Sequence, residues 1–472
     1  MKNSTDNTDN LEKIRQQFDQ APYPRTPLER SPDHDPYLLY THSLATAHYL
    51  RHREVISTQD KLILDAGCGT GYTSLVLAAA NPGAKVVGID ISPVSIDLAQ
   101  KRAAFHGYEN AVTERPALSG AERSRSVVTE QSRSVVTERS RSVEFQTLGI
   151  DELAQLGLTF DYINCDEVLY LLPDPQQALR EMRSILNPQG IIRTNLHSYY
   201  QRQDFYQAQE LFKLMGLQDQ APQQAEIEKV RGTMAGLVDR AYLKSQTWEP
   251  SYNQDDESVL CNFLLVGDKG FTIPETLTML EAAGLELYSM VDWRQWQVLD
   301  LFKEPENLPI YLSFALASMS LNQQLEMYEL LQPTHRLLDF WCGHAIETPE
   351  KTAVADWDTS DWQEVTVQLH PLLLTPEAKE EAIEQIQASK PFLISWHLPL
   401  TGEPYLLETK ITSCLLPLWD GSQSFGNLLA RWQTLYNLDP VTLSPTPPDA
   451  GLEVLIASLT ELESLGYLLL SS

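Results

Sequence analysis

Three glycines spaced two residues apart, Gly67, Gly69 and Gly71, follow an aspartate, Asp65, that itself ends the apolar run Leu62-Ile63-Leu64. Glycines at such spacing let the backbone take positive φ and leave room for a ligand to lie against the main chain. A second acid, Asp90, closes another apolar run, Val86-Val87-Gly88-Ile89, about 20 residues beyond the glycine turn. A carboxylate at that place can accept hydrogen bonds from both hydroxyls of a ribose. Further along, Asp166, Glu167, Tyr170, Asn195 and His197 offer carboxylate, hydroxyl, amide and imidazole groups just past two more apolar runs. Of these, Asp166 and His197 are the candidate bases.

The elements that must position these groups are legible as strands and helices in alternation. Lys61 to Leu64 reads as a buried parallel strand, and the alanine-rich stretch from Tyr72 to Ala80 as a helix stopped by Asn81-Pro82-Gly83. Unpaired amides at that helix start favour an electron-rich group. Ser92-Pro93 starts the next helix, which runs to His106 and ends at Gly107. Val143 to Leu148 predicts a third strand, Phe160 to Glu167 a fourth with its exit, and Ile191 to Asn195 a fifth, with a helix capped by Asp174-Pro175 between the last two. Cys68, between glycines, reads as filler rather than nucleophile.

LDAGCGTG followed by VVGIDIS, then FDYINCDEVLYLLPD and LNPQGII, resembles the ordered motifs of class I S-adenosylmethionine-dependent methyltransferases over residues 61 to 196. The resemblance implies a Rossmann-like α/β sheet with helices on both faces and S-adenosylmethionine as cofactor. It implies that Asp65, Gly67, Gly69 and Gly71 border the methionine part, that Asp90 holds the ribose and that Ile91 lies beside the adenine. Gly149 and Ile150 fall where the family contacts the adenine, with Asp151 close by, and Cys165 is grouped with the cofactor residues. No metal is implied. The Asn-Pro-Pro-Tyr type motif typical of nucleobase amino methylation is absent at Asn164, and so is a Pro-Cys pair for cytosine attack.

The chain has 472 residues and a net charge of −29, from 35 basic and 64 acidic side chains, with five cysteines. That balance disfavours a nucleic-acid partner. An odd cysteine count without Cys-x-x-Cys spacing fits a reduced cytoplasmic protein, and no run suggests a membrane span. Residues 1–10 read as disordered, and Leu11, Ile14 and Phe18 as one face of a short helix. An amino-terminal helical cap over residues 1–60 is expected, in which Tyr23 or Tyr40 could stack over a cofactor, although such aromatics more often serve a core. Residues 61–291 form the expected cofactor-binding domain. The tandem unit SRSVVTEQ, SRSVVTER, SRSV makes 113–142 an inserted surface loop, and 197–270 reads as a helical lid. A helical connector is expected over 292–352. Residues 353–472 resemble a smaller winged-helix-like α+β domain, and LPLWDGSQSFGNLLARW looks like the regulatory domain attached to some bacterial methyltransferases, including ones acting on protein lysines. The expected function is methyl transfer to a protein side chain or small metabolite by in-line displacement. The rival expectation is a cofactor-binding regulator with little turnover.

Overall fold

The computed structural model describes residues 2–108, 142–345, 352–438, 442–447 and 450–471. Apolar runs at strand spacing become seven main strands: β1 (Leu62–Ala66), β2 (Lys85–Asp90), β3 (Ser142–Thr147), β4 (Phe160–Cys165), β5 (Leu186–Ser198), β6 (Leu285–Met290) and β7 (Leu337–His344). They lie in the order β3-β2-β1-β4-β5-β7-β6, and a two-residue strand, Gly270–Phe271, pairs with the end of β5. β1 to β5 are parallel, whereas β7 runs antiparallel to both β5 and β6. The order reverses between β1 and β4, which opens a crevice at the carboxyl ends of these strands.

Successive residues of each strand serve opposite faces of the sheet. Leu64, Ile89, Ile163, Ile192 and Phe340 join one buried cluster, and Ile63, Val86, Tyr162, Ile191 and Trp341 join another. Helices cover both: α1 (Lys2–Gln20), α2 (Pro36–Thr41), α3 (Leu44–His52), α4 (Tyr72–Ala80), α5 (Pro93–Phe105) and α6 (Pro175–Ser184). The expected Rossmann-like α/β sheet is therefore present. Between His197 and Gly270, which pair with each other, four helices (α7 Tyr199–Leu214, α8 Gln224–Gly236, α9 Tyr242–Thr247 and α10 Asp256–Phe263) close on a small core of their own around Phe212, Val230 and Phe263.

Three expectations need correction. β7 lies inside 292–352, where only helices were expected; its eight residues carry the ladder between β5 and β6. The signal was masked because LLDFWCGH mixes a charge and aromatics into an otherwise ordinary apolar run. Residues Lys2 to Asn10, expected to be disordered, continue α1 towards the amino terminus. The repeat segment lies outside the described residues except for Ser142, which pairs with Lys85 as the first residue of β3.

Beyond residue 352 a smaller α+β unit carries an antiparallel sheet of β8 (Thr366–Leu369), β9 (Gln423–Ser424) and β10 (Leu468–Ser471), in the order β9-β8-β10. Its core includes Tyr40, whose ring centroid lies 4.9 Å from that of His370. Thr46 and His370 hydrogen-bond at 2.9 Å, and the Tyr49 hydroxyl donates to the buried Glu463 at 2.9 Å. The expected cap is thus divided: α2 and α3 bind the carboxy-terminal unit to the large sheet, while α1 and the segment after it go elsewhere.

A chain ending near Pro309 would lack β7, leaving facing edges of β5 and β6 unpaired and buried polar backbone without partners. Such a fragment is expected to lose cooperative melting by circular dichroism and to bind no cofactor. A soluble, cooperatively melting fragment would show that β7 is dispensable.

Candidate active site

The turn after β1 is fixed by two amide hydrogen bonds, Gly67 and Cys68 N–H both donating to the Ile89 carbonyl at 2.8 Å. Gly67 and Gly69 have φ of 83° and 50°. A side chain on Gly67 would collide with Val168, and one on Gly69 with the carbonyl oxygen of Tyr23. Close approach, as well as backbone conformation, therefore demands glycine at both. At Gly71 the demand comes from helix packing, since a Cβ there would meet Ala99 of α5 at 2.7 Å.

Gly67 and Gly69 border a cavity of about 540 Å³ at the carboxyl edge of the sheet. Asp90 lines it. One carboxylate oxygen accepts from Gly69 N–H at 3.0 Å and the other from Ser92 N–H at 2.8 Å, each keeping a free lone pair. Burial raises the Asp90 carboxyl above its ordinary range, and the two amides oppose that rise. Ile91, Leu148, Ile150 and Asp151 line the cavity as well, as do Cys68, Asp166, Glu167 and Val168. Leu11, Ile14 and Phe18 of α1 form a roof, tied down where Ser92 Oγ donates to Asp19 at 2.7 Å. Tyr23 and Pro24 complete the cover: the Tyr23 carbonyl accepts from Thr70 N–H at 3.0 Å, and the Pro24 carbonyl from Thr70 Oγ1 at 2.8 Å.

The structure therefore brings together Gly67, Gly69, Asp90, Ile91, Ile150 and Asp166 from the sequence-derived candidates. Four of the cofactor candidates lie outside the lining. Asp65 is 1% exposed and accepts from Ser74 Oγ at 2.6 Å and Asn164 Nδ2 at 2.9 Å. Burial pushes its carboxyl up to about 6, so it acts as a buried tie between β1, β4 and α4. Gly71 packs on α5, Gly149 donates its amide to Glu152, and Cys165 is fully buried, its thiol raised by burial.

The two candidate bases also change character. Burial alone would raise the Asp166 carboxyl, but Arg193, with a hydrogen bond from Asn195, holds it well below the usual range. A carboxylate that binds a proton so weakly makes a poor base near neutral pH. His197, 2% exposed, is the penultimate residue of β5 and does not reach the cavity. Its Nδ1 lies 2.7 Å from Asp268 and its Nε2 3.1 Å from Arg336 Nη1, an arrangement in which Nδ1 donates, Nε2 accepts and the ring is neutral. Burial lowers its proton affinity further, despite Asp268.

Sequence reasoning missed Arg336, which pairs with the lining residue Glu167, and Asp268, which holds His197 behind it; no local motif marks either. Tyr23 was weighed as core yet lines the cavity, and Tyr40, weighed with it, is core. Among the described residues, no group of His, Cys, Asp and Glu has the makings of a metal site, and no helix is long and apolar enough to cross a membrane.

With this geometry in hand, comparison with known proteins is informative. Residues 64–192 match the family model described as a methyltransferase domain. An uncharacterized protein of Synechococcus is 26% identical over 301 residues, 63% of each chain. A ubiquinone biosynthesis O-methyltransferase of Haemophilus ducreyi is 27% identical over 132 residues, covering 28% of this chain and 43% of that one. A tRNA U34 carboxymethyltransferase of Campylobacter jejuni is 27% identical over 132 residues, 28% of this chain and 34% of its own. Each match spans less than two thirds of the relative's length. The structure of PKMT2 from Rickettsia typhi in complex with AdoHcy superposes with a TM-score of 0.54 at 16% identity, covering 94% of this chain and 77% of that one, which establishes a shared fold. The motif-bearing stretch is thus similar to a methyltransferase domain, and the fold is shared with a structure that holds AdoHcy.

Asp90→Ala removes the carboxylate whose free lone pairs face the cavity. Loss of two ribose hydrogen bonds is expected to cost about 1.5–3 kcal/mol, near a tenfold to hundredfold loss of cofactor affinity. Calorimetry with S-adenosylhomocysteine is the measurement, and an unchanged affinity would remove Asp90 from the site.

Proposed function

We propose that this chain transfers the methyl group of S-adenosylmethionine to a protein side chain or a small metabolite by in-line displacement. In this reading Asp90 holds the ribose, Gly67 and Gly69 border the methionine part, and Ile91 and Ile150 flank the adenine. The observation that carries the reading is that one cavity is lined by Gly67 and Gly69 of the glycine turn, by Asp90, and by Asp166 and Glu167 of β4's exit. A cofactor seated against the turn and Asp90 would share that cavity with those two acids.

The protein mainly contributes alignment, because displacement at a sulfonium carbon needs the nucleophile, the methyl carbon and the sulfur in line. Hydrophobic cover from Leu11, Ile14 and Phe18 excludes water from the reacting charge. With a net charge of −29, a polyanionic acceptor is disfavoured. The described cysteines are all free thiols, which fits the reducing cytoplasm. The carboxy-terminal unit, which carries no part of the cavity lining, is assigned to acceptor selection.

Incubation of the protein with methyl-tritiated S-adenosylmethionine and cell extract is expected to yield S-adenosylhomocysteine above the rate without extract. Separating acid-precipitable from soluble label then distinguishes a protein acceptor from a metabolite. Tight cofactor binding with no extract-dependent turnover would instead favour a regulator.

A further inference from the structure

At the mouth of the cavity, Glu167 is the residue that nothing so far explains. It has φ 58°, in the left-handed region that costs a non-glycine residue energy and that persists where surroundings enforce it. Its amide is held there by Asn195 Oδ1 at 2.8 Å. Its carboxylate accepts from Tyr170 Oη at 2.7 Å and from Arg336 Nη1 at 3.2 Å on one oxygen, and from Arg336 Nη2 on the other. Behind this pair stands His197, stacked on Tyr170 with ring centroids 3.7 Å apart and tied to Asp268. Three separate parts of the chain (the β4 exit, the helical insertion and the approach to β7) thus converge on the carboxylate of a residue that lines the cavity.

The other candidate groups are spoken for. Asp166 is committed to Arg193 and Asn195, and His197 offers neither a free nitrogen nor a surface to the cavity. Glu167 and the phenol of Tyr23 line the same cavity. A carboxylate has about four lone-pair sites, and Tyr170 and Arg336 use three of Glu167's.

Building on the methyl-transfer reading above, we propose that Glu167 meets the acceptor directly, accepting a hydrogen bond from a nucleophile that carries its own hydrogen, an amine or a hydroxyl. The acceptor's lone pair forms the new bond to the methyl carbon as the carbon–sulfur pair returns to sulfur, and S-adenosylhomocysteine leaves. The acceptor's proton is lost to solvent after the transfer. In the transition state positive charge grows on the acceptor atom. Its hydrogen then becomes a stronger donor, so the bond to Glu167 tightens in the transition state. Because Arg336 neutralises Glu167, the pair does not favour an ammonium ion over the free amine that must react. Arg336 and Tyr170 act through Glu167 and are positioning residues.

Sinefungin tests this without an identified acceptor, since it bears an amine-substituted carbon where S-adenosylmethionine bears its methylated sulfur, whereas S-adenosylhomocysteine has no group there. Titration calorimetry of the full chain compares both ligands on the wild type, Glu167→Gln, Tyr170→Phe, Arg336→Ala and Arg336→Lys. Glu167→Gln is expected to weaken sinefungin about tenfold relative to S-adenosylhomocysteine. Tyr170→Phe and Arg336→Ala should change the same ratio by a smaller factor, with Arg336→Lys returning it towards wild type. A ratio unmoved by Glu167→Gln overturns the assignment. Should that variant not fold, a ratio unmoved by Tyr170→Phe and Arg336→Ala overturns it equally. If the wild type binds neither ligand, the methyl-transfer reading itself fails, which is a different outcome.

Discussion

A row of buried polar side chains runs across four strands of the sheet and centres on one guanidinium. Asp65 on β1 accepts from Asn164 on β4, Asn164 accepts from Arg193 on β5 at 3.1 Å, and Arg193 donates to Asp339 on β7 at 2.7 Å. Arg193 is 5% exposed, and a charge so placed must have partners. Burial works against its proton, but Asp339 and Asp166 more than offset that and hold it charged. His42 adds an acceptor at 2.7 Å, its other ring nitrogen donating to the Leu38 carbonyl. Removing one member of a buried charge pair typically costs about 3–5 kcal/mol, because the survivor is left uncompensated. The row therefore fixes the register of β7 against β5 as well as any apolar packing could, and it explains why a strand arriving so late in the chain finds its slot.

The same row decides which acid serves the cavity. Asp166 and Glu167 are neighbours in sequence, and both line the cavity. Asp166 is turned into the row and shares Arg193 with Asp339, whose own carboxyl burial pushes up to about 7. Glu167, one residue later and in a left-handed conformation, is turned to the other guanidinium, Arg336. Two adjacent carboxylates are thus held by two arginines that lie far apart in the chain: one belongs to the buried row of the sheet, the other to the cavity lining.

Cover over the cavity comes from the amino terminus, and attachment of the second unit comes from the residues just after it. Arg102 of α5 donates to the carbonyls of Thr70, Pro27 and Thr26, so the strap after α1 is held by main-chain acceptors rather than by side-chain packing. Further along, Tyr40 and Tyr49 are buried against the carboxy-terminal unit. Cavity cover and domain attachment are therefore consecutive features of one short stretch.

By itself the sequence determined the parts that rest on local order. The glycine turn, the acid ending β2, the five parallel strands and the capped helices between them follow from turn chemistry and periodicity within short windows. Gly67, Gly69, Asp90, Ile91 and Ile150 were legible for that reason, since each sits at a fixed place relative to one strand end. Only the tertiary structure decided what depends on distant partners. β7 is defined by edges that β5 and β6 leave open; Asp65 and Cys165 are withdrawn from the cavity by burial; and Asp166 loses its basicity to Arg193. Glu167 takes its orientation from Asn195, Tyr170 and Arg336. Local sequence sets backbone conformation, but a side chain's charge and exposure come from whatever the fold places beside it.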